Sequence, residues 1–267
     1  MARVLVTGGT GTLGTHLVPH LLRGGHRVRT LTRHGTLTGR PSSFGQGDAG
    51  PEAPLSHWRG DVATGEGLAE AMASMTAVVH AATSPRLSRT VEVGGTANVV
   101  AAATEAGAHV VYISIVGVDA IAFSYYRAKR DAEEVVERGV PPWTIQRATQ
   151  FHHLLDRFLG WPLFPVTPHL RFQPVDTDEV AVRLADLVDA GPSGRVEDFG
   201  GPEVLTLSAL AETRRRLVGS AARLVPVPPV GLLRHYDEGR HLAPDHARGR
   251  VTWEAWLTER TSPVPSP

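Results

Sequence analysis

Lys129 is the only lysine among 27 basic residues; the other 26 are arginine. A planar guanidinium cannot replace a compact ammonium, so in an arginine-dominated chain a surviving lysine marks a candidate for chemistry. Four residues before it stands Tyr125, in Tyr125-Tyr126-Arg127-Ala128-Lys129. Residues i and i+4 share one helix face. An ammonium beside a phenol favours the phenolate and lowers the tyrosine pKa. Tyr125 can then exchange a proton with a carbonyl or hydroxyl oxygen, with Lys129 tuning it. Ser114 lies eleven residues before Tyr125, at the end of an apolar run, and can orient the same oxygen. Tyr126 is a rival phenol, projecting about 100° away around the helix.

A second constellation supplies the partner for that chemistry. Thr7-Gly8-Gly9-Thr10-Gly11-Thr12-Leu13-Gly14 follows the apolar run Val4-Leu5-Val6 and opens a helical pattern. Gly8 suits a tight turn, Gly11 lets the backbone approach a pyrophosphate, and Gly14 permits close helix–sheet packing. Thr10, Thr12 and Leu13 complete the cradle, where a helix N-terminus offers free N–H groups to phosphate. The spacing predicts dinucleotide binding. The next strand ends at Leu31-Thr32-Arg33-His34, with no acid before Gly47. An NAD site would place Asp or Glu there for the ribose 2′-hydroxyl. Arg33 instead suits a 2′-phosphate, which favours NADP over NAD; Arg40, Ser42 and Ser43 are further candidate contacts. Asp61 can accept from the adenine amino group and Val62 can pack on the ring. Ala81, Ala82 and Thr83 are small enough to let a cofactor lie against the sheet edge. With a nicotinamide in place, the Tyr125/Lys129 proton exchange becomes half of a hydride transfer, and Lys129 can also hold the nicotinamide ribose.

These residues must be positioned by a regular frame. Short apolar runs (4–6, 27–31, 77–81, 110–113, 143–146) alternate with helical patterns (12–22, 65–75, 88–106, 124–138). Strands alternating with helices predict an α/β fold with a doubly wound parallel Rossmann sheet. After about residue 150 the rhythm changes. Residues 151–260 are expected to form a small C-terminal substrate lobe interleaved with the main sheet, after a cofactor-binding domain over 1–150, with 261–267 a disordered tail. Residues 34–57 lack periodicity. A helix is expected over 178–190, and a strand over 196–199. Phe151, Phe158, Trp161, Phe164 and Phe172 suit either an apolar lid or the core of the lobe. Phe151 and His152 are substrate-side candidates. His152-His153 does not suggest a metal, because adjacent helical residues point about 100° apart.

Composition narrows the function classes. Lys plus Arg equals Asp plus Glu at 27 each, which gives no basic excess for nucleic acid. There is no cysteine, excluding disulfides, thiolate metal sites and thiol catalysis. No run of about 18 apolar residues predicts a membrane span, and the opening apolar run is too short for a signal-peptide core. A cytoplasmic location is expected, with a small molecule as partner and a homodimer as a possible assembly.

On these residues the chain resembles the short-chain dehydrogenase/reductase superfamily, and within it the atypical and extended branch that includes NmrA-like NAD(P)-binding proteins. The motifs that carry the resemblance are Thr7-Gly8-x-x-Gly11-x-x-Gly14, Asp61, Ala81-Ala82-Thr83, Gly94-Gly95-Thr96-Ala97-Asn98, Ser114-Ile115-Val116-Gly117-Val118, Tyr125/Lys129 and Trp143 to Phe151. Asp178-Glu179-Val180-Ala181 and Gly200-Gly201-Pro202-Glu203 are similar as well. The resemblance implies that Ser114, Tyr125 and Lys129 match the catalytic triad. It also implies that Arg147 to Phe151, with Ala148 and Gln150 as cofactor contacts, pass near the nicotinamide. The expected activity is NADP-dependent reduction or oxidation of a carbonyl, hydroxyl or enone on an apolar small molecule. The alternatives are an NADP-binding redox-sensing regulator without turnover, and a repurposed epimerase, cyclase or dehydratase.

Overall fold

Nine α-helices and eleven strands order the described residues, 1–33 and 53–262, of the computed structural model. Arg40, Ser42 and Ser43, the rest of 34–52, and tail residues 263–267 lie outside the described residues.

In chain order the elements are β1 Arg3–Thr7, α1 Thr12–Arg23, β2 Arg27–Thr32, β3 Leu55–Arg59, α2 Leu68–Met72, β4 Ala77–His80, α3 Gly95–Ala106, β5 His109–Ile115, α4 Ser124–Arg138 and β6 Trp143–Ala148. There follow α5 His152–Leu159, β7 Leu163–Val166, β8 Arg171–Phe172, α6 Thr177–Ala190, β9 Gly194–Arg195, β10 Leu205–Thr206, α7 Leu207–Val218, β11 Arg223–Pro226, α8 Leu232–Asp237 and α9 Trp253–Thr261. Seven strands form one parallel sheet in the order β3-β2-β1-β4-β5-β6-β9. The order reverses direction beside β1, which places the Gly-rich turn and the end of β4 at a topological switch point. Val4, Leu5, Val6, Val78, Val79, Val110 and Val111 are fully buried. Such runs do not alternate because helices cover both faces of the sheet. The doubly wound α/β reading therefore holds.

Compact packing divides the chain into two units that interleave in sequence. The first comprises Met1–Ser114, Arg127–Gln146 and Ala181–Val196; the second comprises Ile115–Tyr126, Arg147–Val180 and Glu197–Pro267. In the first, α1 turns Leu13, Leu17 and Leu21 inward and keeps Pro19 on its exposed side. The core joins Leu5, Leu31, Met72, Val99, Tyr112 and Ile145. In the second, α5, α7 and α9 bury Leu155, Leu159, Leu207, Leu210, Trp253 and Leu257. The Asp156 carboxylate accepts from Arg214 at 2.8 Å and from Arg260, tying the three helices together. Phe172 is buried in this core and Phe158 and Phe164 pack half-buried against it, while Trp161 is exposed. Two short sheets, β10 with β8 and β11 with β7, complete it.

Three local expectations are corrected. The helix expected over 65–75 contracts to α2, because the preceding residues form a turn around Asp61. Its Oδ1 accepts from Ala63 N at 2.9 Å, its carbonyl from Gly65 N at 2.8 Å, and its N–H donates to Glu66 O. The helix expected over 88–106 begins as a 3₁₀ turn, Pro85–Leu87, and a π-helical turn, Arg89–Gly94, before α3. The strand expected at 196–199 lies at β9, leaving only a single bridge from Phe199 to Ala148.

Candidate functional site

The Gly-rich turn joins β1 to α1. Gly8 has φ +70°, and a Cβ there would lie 2.8 Å from the Ala81 carbonyl and the Ala82 nitrogen. The turn and the end of β4 thus touch backbone to backbone, which only glycine allows. At Gly14 a Cβ would strike the Gly8 carbonyl and come within 2.5 Å of Gly9 Cα. Thr10, Gly11 and Thr12 are exposed, whereas Leu13 and Gly14 are buried beneath them. No side chain caps α1 at Gly11. The N–H groups of the first turn are thus left without a side-chain cap beside an exposed rim. Arg33 is exposed just after β2. Asp61 is half-buried, with one carboxylate oxygen committed to its own turn. Val62 is buried in the core, its side chain turned toward Gly95.

Behind the turn runs a buried polar chain. Thr7 Oγ1 lies 2.7 Å from His80 Nδ1 and accepts from Ala82 N at 3.4 Å. His80 Nε2 lies 3.0 Å from Thr96 Oγ1, and the Thr96 hydroxyl donates to the Glu92 carbonyl. Burial, then the Lys129 cation, lowers the His80 pKa to about 4. With the imidazole neutral and the Thr96 proton given to Glu92, Nε2 must donate to Thr96, and Nδ1 must accept from Thr7.

Lys129 sits where this chain ends. It is 3% exposed. Its ammonium lies 3.0 Å from Glu92 Oε2, donates to the Ile113 carbonyl at 3.1 Å, and stands 4.7 Å from the centroid of the Tyr112 ring. Glu92 is fully buried, and its Oε1 accepts from Thr83 Oγ1 at 2.5 Å and from Ser84 N at 2.9 Å. Burial alone would raise the Glu92 pKa. The Lys129 cation and the donors at Thr83 and Ser84 outweigh it and hold the carboxyl below its ordinary value. Sequence reasoning missed Glu92. The available signal was a single carboxylate between Val91 and Val93, opposite a single lysine. Ser114, near the end of β5, is 3% exposed, and its Oγ has no hydrogen-bond partner among the described residues. A buried hydroxyl left in that state is suited to a ligand oxygen.

Tyr125 lies in the first turn of α4, one turn before Lys129, and is half-buried. Tyr126 is buried, donating its phenol to Tyr236 and accepting from Gln150; burial, then Tyr236, pushes its pKa well up. That engagement removes the rival phenol. Gln150 Nε2 also approaches the His241 carbonyl at 3.5 Å, while Oε1 has no partner among the described residues. Ala148 is buried near the sheet end, its carbonyl accepting from Val116 N. Phe151 is half-buried against His153. The expectation for His152 is corrected: α5 turns it fully inward, stacked on Trp256 at 5.4 Å and beside Trp253, so it packs the second unit and does not present itself to a substrate. Among the described residues, no group of three His, Cys, Asp or Glu side chains is placed to hold a metal ion. No helix there is long and apolar enough to cross a membrane.

A family model described as NAD(P)H-binding matches residues 8–154. The chloroplastic divinyl chlorophyllide a 8-vinyl-reductase of Oryza sativa subsp. indica is 30% identical over 258 residues. That alignment covers 84% of this chain and 61% of the reductase, so the chain spans less than two thirds of that relative's length. Among solved structures, an NADPH-dependent quinone oxidoreductase from Escherichia coli, complexed with NADPH, superposes with a TM-score of 0.77 at 14% identity, covering 97% of this chain and 100% of the other. The triphenylmethane reductase of Citrobacter sp., complexed with NADP(H), gives a TM-score of 0.73 at 16% identity, with coverage of 97% and 100%. At these identities the structural likeness is one of fold.

Proposed function

The chain belongs to the NAD(P)H-binding family, as its short-chain dehydrogenase/reductase-like motifs anticipate, and from that membership we propose that it is an NADP-dependent oxidoreductase reducing a carbonyl or enone on an apolar small molecule. The observation that carries the reading is the sole lysine of the chain, buried against Glu92 one helical turn after Tyr125. The reductase relative and the NADPH-bound structures of like fold support it.

The Gly8–Gly14 rim receives the pyrophosphate, and Arg33 pairs with the 2′-phosphate. Ala81, Ala82 and Thr83 line the cofactor, and Ala148 and Gln150 contribute contacts toward its nicotinamide end. When bound, NADPH supplies the hydride. Lys129 holds the ribose hydroxyls one helical turn from Tyr125. Ser114 donates a hydrogen bond to the substrate oxygen. Tyr125 gives that oxygen its proton as the carbon is reduced, so a ketone leaves as an alcohol. Phe151 offers apolar surface for the substrate.

The test is calorimetric titration with NADPH and NADH, followed by NADPH consumption with a panel of soluble quinones, enones and aldehydes. Tight NADPH binding with turnover on one acceptor class, lost in Tyr125→Phe, is expected. Binding without consumption across the panel would overturn the oxidoreductase reading in favour of a sensor.

A further inference from the structure

We propose that Glu92 is the positioning residue for Lys129, fixing the ammonium at the end of β5 and joining it to the segment that follows β4. The inference rests on the NADP reading above, in which Lys129 and Ala81–Thr83 are cofactor contacts. An ammonium that is 3% exposed needs an anion, because burial of an unpaired cation disfavours the charged form. Glu92 is the anion that meets it, at 3.0 Å. The same carboxylate takes the Thr83 hydroxyl and the Ser84 N–H through its other oxygen. One side chain therefore sets both a lysine on α4 and the loop leaving β4.

The local backbone supports this role. Glu92 lies in the π-helical turn Arg89–Gly94, where one residue more than an α-turn is accommodated. Such turns are uncommon and occur often at functional sites. The turn is anchored from behind, since the Glu92 carbonyl accepts from Thr96, which in turn is fixed by His80 and Thr7. The ionisable groups facing Lys129 are Glu92 on the π-turn, His80 on β4 and Tyr112 on β5, with Tyr125 and Glu133 one turn away on its own helix. Glu92 is the anion shown in contact with the ammonium from another element.

The sole lysine makes the test direct. Protein grown with lysine labelled at 13Cε gives one side-chain resonance, titrated without cofactor in the wild type and in Glu92→Gln. NADPH affinity is measured at pH 6 and pH 9 in both proteins and in Lys129→Met. In the wild type, the lysine is expected to stay charged through pH 9 with an even NADPH affinity. In Glu92→Gln its titration should fall by at least about one pH unit, and NADPH binding should weaken from pH 6 to pH 9 in step with the fraction of the lysine that has lost its proton. Should Glu92→Gln not fold, Glu92→Asp keeps the charge and should move the lysine resonance while preserving its titration. If Lys129→Met binds NADPH like the wild type, the cofactor role of Lys129 fails, and the proposal fails with it. If Lys129→Met loses binding while folded Glu92→Gln keeps both the titration and the even affinity, the NADP reading survives and Glu92 as its positioning residue is overturned.

Discussion

Two glycines of one turn should fail in different ways when given a side chain. At Gly11 the backbone is extended, with φ −80° and ψ 175°, and an added Cβ meets only the Gly8 carbonyl, at 3.2 Å. The fold tolerates Gly11→Val, at a cost of about 1 kcal/mol for a poorer N-cap. That corresponds to a melting shift of only about 2–4 °C. The valine methyls occupy the exposed rim where the N–H groups of α1 present themselves. Loss of two charge-assisted hydrogen bonds, each worth about 1.5–3 kcal/mol, would weaken NADPH binding by about 10²- to 10⁴-fold. Gly14→Ala is the contrast: its Cβ runs into the Gly8 carbonyl and Gly9 Cα, both main-chain atoms without a rotamer to yield. It should lose about 1–3 kcal/mol of stability or more. Thermal unfolding and calorimetric NADPH titration of both variants separate the outcomes. A folded Gly11→Val protein with wild-type NADPH affinity would refute the placement of the phosphates on this turn.

Three further outcomes are expected. Arg33→Asp should lower NADPH affinity by about 10- to 100-fold, the worth of a charge-assisted pair, and spare NADH; equal losses for both cofactors in calorimetry would contradict a 2′-phosphate contact. His80 should remain neutral down to about pH 5, since burial lowers its pKa to about 4; its ring 1H shifts should be flat from pH 8 to 5. Because the unfolded imidazole takes a proton near pH 6.5 and the folded one does not, His80 should reduce stability progressively as pH falls from about 6.5 to 4; a ring titration midpoint near 6.5 would contradict the buried network. Lys129→Met strands the Glu92 carboxylate, and breaking a buried pair costs about 3–5 kcal/mol. The carboxyl pKa should then rise in the folded state, so the variant recovers stability as pH falls and loses it as pH rises. Urea midpoints at pH 5 and pH 8 should show that widening deficit, and an equal deficit at both would argue against it.

The sheet was legible because each central strand is a short uninterrupted apolar run, and the turn at Gly8–Gly14 sits where strand chemistry passes to helix chemistry. Periodicity failed where side chains replaced helical hydrogen bonds. Asp61 took the turn that a helical pattern would have used, and Glu92 sat within a helical pattern whose first turn is π-helical. In the candidate site, sequence spacing brought Tyr125 and Lys129 onto one helix, and residue scarcity singled out the lysine. It could not reveal that the lysine faces Glu92, because that pairing depends on a contact between α4 and a turn some 35 residues earlier in the chain. Nor could it reveal that His152 turns inward, since histidine hydropathy is equally compatible with a core stacked on tryptophan.

The hydrogen-bond chain from Ala82 through Thr7, His80 and Thr96 to Glu92 has a fixed polarity. It begins at a peptide N–H and ends at a peptide carbonyl. Neither end can release or take up a proton at ordinary pH, so no hydroxyl or imidazole between them can pass one along without leaving a terminal amide charged. The row is electrically a dielectric, not a wire. A proton that Tyr125 would give to a substrate cannot come along this row, and the carboxylate beside Lys129 acts on His80 through its charge and not through an exchanged proton.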